Sequence, residues 1–91
     1  MIRKHITITN PSGLNVDPAQ ILSNHARQFE CKITIYYKHY NINAKSMMHI
    51  LSATLMCGTE VELECDGPDE EICMHDLCEL FAHGLEQEDQ P

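Results

Sequence analysis

Thr59-Glu60-Val61-Glu62-Leu63-Glu64-Cys65 alternates residue by residue, with Val61, Leu63 and Cys65 on one side and Glu60, Glu62 and Glu64 on the other. Successive side chains of a strand point to opposite faces, so the segment predicts a strand with a buried apolar side and a solvated acidic side. Gly67-Pro68-Asp69-Glu70-Glu71 follows. Proline suits a helix start, and three acids fall in the first turn, where the helix dipole favours negative charge. Behind them Cys73, Leu77, Leu80 and Phe81 supply an apolar helical face.

A strand with one dry side needs neighbours of the same kind. Residues 2–9 alternate in the same way, with Ile2, Ile6 and Ile8 on the buried face and Lys4 its exception near the frayed start, until Asn10-Pro11-Ser12-Gly13 stops them. A helix is expected next, with Asp17 as cap, Pro18 at its first position and Gln20 completing a capping-box pattern. Ala19, Leu22, Ala26 and Phe29 recur at helical spacing and give its buried stripe. Residues 31–37 and 40–43 read as a hairpin, although Lys38-His39 is poor turn chemistry, since such turns favour Gly or Asn. Ser46 is the natural N-cap of a short helix carrying Met47, Met48, Ile50 and Leu51, and Cys57-Gly58 ends that stretch.

The order is therefore β-α-β-β-α-β-α. The class is α+β: one four-stranded antiparallel sheet with strand 59–65 internal, and three helices on one face. The chain of 91 residues makes one domain over residues 1–85, followed by a polar, acidic tail over 86–91 that is expected to be mobile.

Charge and cysteine usage narrow the function. The formal charge of -8 argues against nucleic acid or an anionic membrane as partner, because both need a cationic surface. No apolar run approaches the roughly 20 residues that span a bilayer. Residues 1–6 lack the apolar core of a signal peptide. Five cysteines are an odd number, which suits a reduced compartment, so the cytoplasm is expected. Cys73, His75 and Cys78 share a helix, but positions five apart diverge by about 140°. With no C-x-x-C pair either, no metal or cofactor is expected, and Cys65 and Cys73 read as small core residues. The six histidines, at 5, 25, 39, 49, 75 and 83, read mainly as surface residues.

Three segments in order resemble the histidine-containing phosphocarrier (HPr) family of the bacterial sugar phosphotransferase system. Asn10 to Ala19, reading N-P-S-G-L-N-V-D-P-A, is similar to the family's active-site loop, typically G-L-H-x-R-P-A. Asn43-Ala44-Lys45-Ser46-Met47-Met48 is similar to its regulatory serine segment, and Gly58–Val61 through Gly67–Glu70 to its last strand and helix entry. The resemblance runs from about residue 2 to 85 and implies the family's open-faced sandwich.

Two departures stand at the chemistry. Asn15 occupies the position of the phosphorylated histidine, and Asp17 that of the neighbouring arginine. An amide has no free nitrogen lone pair to accept a phosphoryl group, and a carboxylate repels the group that arginine would attract. The resemblance therefore implies a degenerate loop of Asn15, Asp17 and Pro18 with no catalytic residue. The expected role is that of an interaction or regulatory module, not an enzyme, similar to the family's catabolite-repression regulators. Ser46 then implies regulatory phosphorylation, with a serine kinase and a transcriptional regulator of carbon metabolism as partners. Met47, Met48, Leu51 and Gln20 would form the docking surface of a monomer or weak dimer. The alternatives are a phosphocarrier acting through an unconventional residue and a Cys/His metal or redox module. Asn15 and Asp17 also have a purely structural reading as helix-capping residues, as does Ser46.

Overall fold

A computed structural model describes residues 1–85, so the tail over 86–91 and its expected mobility lie outside the described residues. The elements are β1 (Ile2–Thr7), α1 (Val16–Ala26), β2 (Lys32–Tyr37), β3 (Tyr40–Asn43), α2 (Met47–Ser52), β4 (Glu60–Asp66) and α3 (Glu70–Ala82). The four strands form one sheet in the order β1-β4-β2-β3, with every pair antiparallel. β4 is internal, as its alternation predicts: Val61 faces Ile6 on β1, and Leu63 and Cys65 face Ile35 and Ile33 on β2. Those side chains, with Ile42 of β3, form the dry face of the sheet, and the helices cover it with Leu22, Ile50, Leu77 and Phe81.

The other face of the sheet is drier than expected at Glu64 and at Thr34, its register partner on β2. Glu64 lies on the acidic side of β4 yet is buried, only 6% exposed. Tyr36 on β2 donates its hydroxyl to Glu64 Oε1 at 2.8 Å, and Arg3 on β1 donates Nε to Oε2 at 2.9 Å while its guanidinium lies over the Tyr36 ring. Cross-strand neighbours thus cover a carboxylate that alternation alone assigns to water. The Tyr36 hydrogen bond, aided by Arg3, holds the Glu64 carboxyl below its ordinary range. A depressed folded pKa stabilises above the unfolded value of about 4.3, and that stability is lost as pH falls through the folded value. Tyr36→Phe should therefore lower Tm by a few degrees at pH 7, on the order of one charge-assisted hydrogen bond, with a deficit that shrinks below about pH 4. A deficit independent of pH in thermal melts across that range would show that Glu64 is not its cause.

The helices begin differently from the sequence reading. α1 starts at Val16, two residues before Pro18, so Asn15 is the N-cap and Asp17 lies within the first turn. The capping box on Asp17 and Gln20 does not form, because proline is accommodated anywhere in a first turn whose N–H groups have no helical acceptor. α1 ends at Ala26, so Phe29 packs half-buried from the following turn, and Ser23 takes a buried place in the stripe by donating to Gln20 O at 3.1 Å. α3 starts at Glu70, with Asp69 as N-cap and Pro68 exposed before it. Asp69 does not cap its own helix. Its two oxygens accept from the N–H groups of Glu30 and Cys31 at 2.8 and 2.9 Å, tying the entry of β2 to that of α3. In the hairpin, Lys38 adopts a φ of 56°, the strain that the turn chemistry foreshadowed.

Candidate functional site

The loop between β1 and α1 is fixed at three places. Asn10 O accepts from Gly13 N–H at 2.8 Å, closing the turn, while the Asn10 side-chain amide donates to Gly84 O beyond α3. Leu14 is buried, and its N–H donates to Leu55 O at 2.8 Å. Gly13 lies so close to Leu55 and Met56 that an added Cβ would stand 2.4 Å from Leu55 O. The stretch after α2 is therefore the floor of the loop.

Asn15, Val16 and Asp17 project from this support into solvent, and Val16 is 55% exposed. Asn15 has extended backbone (φ -84°, ψ -161°), and its carbonyl accepts from Ala19 N–H at 2.9 Å. Its side chain makes no capping bond, which leaves the capping role expected of that amide unfilled. Asp17 meets the positive end of the helix dipole and stabilises the first turn. The exposed end of α1 thus carries an amide and a carboxylate, and neither offers the imidazole nitrogen on which a phosphohistidine forms.

None of the six histidines lies between Gly13 and Pro18. His25 on α1 pairs with Asp76 at 3.3 Å, and His49 on α2 accepts from Asn43 N–H at 3.0 Å. His83 sits beside Gly84, which touches Asn10, but its ring faces Glu79 at 3.5 Å.

Ser46 takes the N-cap position of α2, as its place in the sequence predicts, and its Oγ accepts from His49 N–H at 3.2 Å. Arg27 at the end of α1 donates to Lys45 O at 3.2 Å, which sets a guanidinium beside the cap, and Lys45 donates to Phe29 O at 2.6 Å. Of the expected docking residues, Met48 is 71% exposed and Gln20 is exposed, whereas Met47 and Leu51 are half-buried against the core. Sequence reading missed Val16 and Met56, the latter 59% exposed beside Gly13. Their signal was present in lone apolar residues flanking a glycine turn, but it needed the packing of one loop on another to be read.

Thr54, just past the end of α2, has a φ of 53°, and its N–H donates to Leu51 O. A β-branched residue is unfavourable there, while asparagine tolerates this conformation. Thr54→Asn should stabilise the protein by about 0.5–1 kcal/mol in urea melts. An unchanged midpoint would show that the strain is relieved elsewhere.

The cysteines group differently from expectation. Cys73, His75 and Cys78 diverge around α3, as their spacing requires, but Cys31 and Cys65 join Cys73 in the core. The three sulfurs lie within 4.8 Å of one another, and Cys65 Sγ is 3.3 Å from Cys73 Sγ. Burial raises all three thiols above their ordinary range, Cys65 to about 11. Spacing along the chain could not show this, because residue 31 meets 65 only through the β2–β4 pairing.

Comparison with known proteins follows the same outline. Residues 2–83 match the family model described as PTS HPr component phosphorylation site. The chain is 32% identical to the phosphocarrier protein HPr of Treponema pallidum over 97% of its own length and 100% of the relative's. Against HPr of Xylella fastidiosa the identity is 30%, over 97% and 99% of the two chains. Among solved structures, HPr-C-His of Thermoanaerobacter tengcongensis superposes with a TM-score of 0.90 at 31% identity, covering 98% of this chain and 100% of the other. The Bacillus subtilis catabolite repression protein Crh, described as a dimer with a swapping domain, superposes at 0.73 with 26% identity, covering 96% and 100%.

Proposed function

Because the chain belongs to the HPr family of the phosphotransferase system, we propose that it is a cytoplasmic protein-interaction and regulatory module of that system, and that it carries no phosphohistidine. The observation that carries this reading is the end of α1, where Asn15 and Asp17 stand exposed and no histidine lies in the loop. A phosphocarrier needs a nucleophilic nitrogen and a positive neighbour at that point, and here an amide and a carboxylate take those places.

Ser46 is the switch in this reading. A phosphoserine carries about -1.5 to -2 charges at neutral pH. It would meet the start of α2 with Arg27 held beside the cap at Lys45, and it should strengthen that helix by roughly 0.3–1 kcal/mol. His49 N–H already donates to the Ser46 Oγ, so it would join the Met47 and Met48 amides in facing the modified side chain. The new charge would adjoin exposed Met48, so a partner should bring an arginine to the phosphate and an apolar surface to the methionine. Serine kinase and regulator are the two partner classes this requires.

The experiment treats the protein with ATP and a serine kinase of the family's hosts, then compares binding of modified, unmodified and Ser46→Ala protein to a carbon-metabolism regulator across salt concentrations. We expect binding only after modification, and weakening as salt rises. Equal binding by all three forms, or no modification of Ser46, refutes the switch. Transfer of label from phosphoenolpyruvate to any histidine of the unaltered chain refutes the non-carrier reading separately.

A further inference from the structure

Cys31, Cys65 and Cys73 come from the residue before β2, from within β4 and from the second turn of α3. Each is at most 1% exposed, and their sulfurs converge within 4.8 Å. Three sulfurs bound in a plane around one ion at about 2.3 Å stand roughly 4 Å apart. That separation lies between the 3.3 Å of the Cys65–Cys73 pair and the 4.8 Å limit of the group, so small side-chain rotations close the triangle.

We propose that Cys31, Cys65 and Cys73 form a three-sulfur binding site for a soft monovalent d10 cation, Cu(I). Donor type and donor number both select it. Thiolates favour Cu(I) and Zn(II) among biological metals, but Zn(II) in structural sites takes four ligands. Among the described residues no other histidine, cysteine or carboxylate joins the group. Asp69, next to Cys31 in space, has both oxygens committed to the N–H groups of Glu30 and Cys31. The burial of all three cysteines also leaves little room for water as a fourth ligand.

Loading exchanges three S–H bonds for three Cu–S bonds and releases three protons to solvent. No electron is transferred, so neither oxidant nor reductant is needed. The resulting anionic centre lies near the start of α3, whose dipole favours negative charge. The site uses no residue of the Asn15 loop or of α2 and is independent of the proposed regulatory role.

The test titrates the reduced full chain, under anaerobic conditions, with Cu(I) held by a chromogenic chelator. We expect one Cu(I) per chain to be withdrawn, a near-ultraviolet sulfur-to-copper charge-transfer band, and a higher Tm in the loaded protein. Cys73→Ser should lose the binding, while Cys57→Ser combined with Cys78→Ser should keep it. X-ray absorption on the loaded unaltered protein should read three sulfur neighbours, which needs no variant to fold. Copper left with the chelator, a two-sulfur shell, binding retained by a folded Cys73→Ser protein, or tighter uptake of Zn(II) would each overturn the proposal.

Discussion

Asn15→His combined with Asp17→Arg should accept phosphate from phosphoenolpyruvate through the phosphotransferase system's first enzyme, where the unaltered chain should accept none. The support for such a loop is in place. Leu14 is anchored to Leu55, Asn10 to Gly84, and the extended backbone at Asn15 turns its side chain outward from the start of α1. Asn15 makes no side-chain capping bond, so its replacement removes none. A histidine there supplies a nucleophilic nitrogen at a helix N-terminus, which is a favourable place for the phosphoryl group that arrives.

Asn15→His alone should transfer more slowly than the pair, because the Asp17 carboxylate would still face the incoming negative group. Exchanging that carboxylate for a guanidinium two positions away should be worth roughly ten- to hundredfold in rate, given a separation of a few ångströms and partial solvent screening. Labelled phosphoenolpyruvate with acid and base stability of the phosphoprotein measures this directly. Equal rates for the single and double variants would show that Asp17 does not oppose transfer. No transfer to the double variant would show that the loop no longer presents its side chains as the family's does.

The parts of the molecule that were legible in its sequence are those set by local rules. The alternation of Thr59–Cys65 placed β4 inside the sheet, and Ser46 capped α2 as its position required. What escaped reading depends on contacts between distant segments. Glu64 obeyed the period of the strand, yet Tyr36 and Arg3 from two neighbouring strands closed over it. Asp69 reads as one of three acids in the first turn of α3, but its carboxylate serves the backbone at the start of β2. The three-cysteine cluster has the same origin, since pairing of β2 with β4 sets Ile33 opposite Cys65 and so brings Cys31 to it from a distant part of the chain. At the candidate site, Asn15 and Asp17 could be located by their place in the loop motif, whereas exposed Val16 and Met56 became visible only when the loop was seen lying on Leu55 and Met56.

That last contact should make Gly13→Ala among the most damaging single-methyl additions in the chain. Gly13 has a φ of 71°, which costs an L-residue about 1–2 kcal/mol. The added Cβ would also stand 2.4 Å from Leu55 O and 2.9 Å from Met56 Cα. Both are backbone atoms, so no side-chain rotation relieves the overlap, and the loop must lift away at the expense of the Leu14–Leu55 hydrogen bond. Together these should cost about 3–5 kcal/mol, a large fraction of the roughly 5–15 kcal/mol that holds a domain together. Tm should then fall by about 15–30 °C. Gly58→Ala is the control, because its φ of 89° is also positive while nothing lies within 4 Å of the added methyl. It should show the conformational cost alone, about 1–2 kcal/mol. The difference between the two, read from urea melts, is the contribution of packing the loop onto the segment after α2. A partner that binds Asn15, Val16 and Met56 together should lose affinity in a folded Gly13→Ala protein and keep it in Gly58→Ala. If the two alanines destabilise equally, the close approach at Leu55 is not what holds the loop in place.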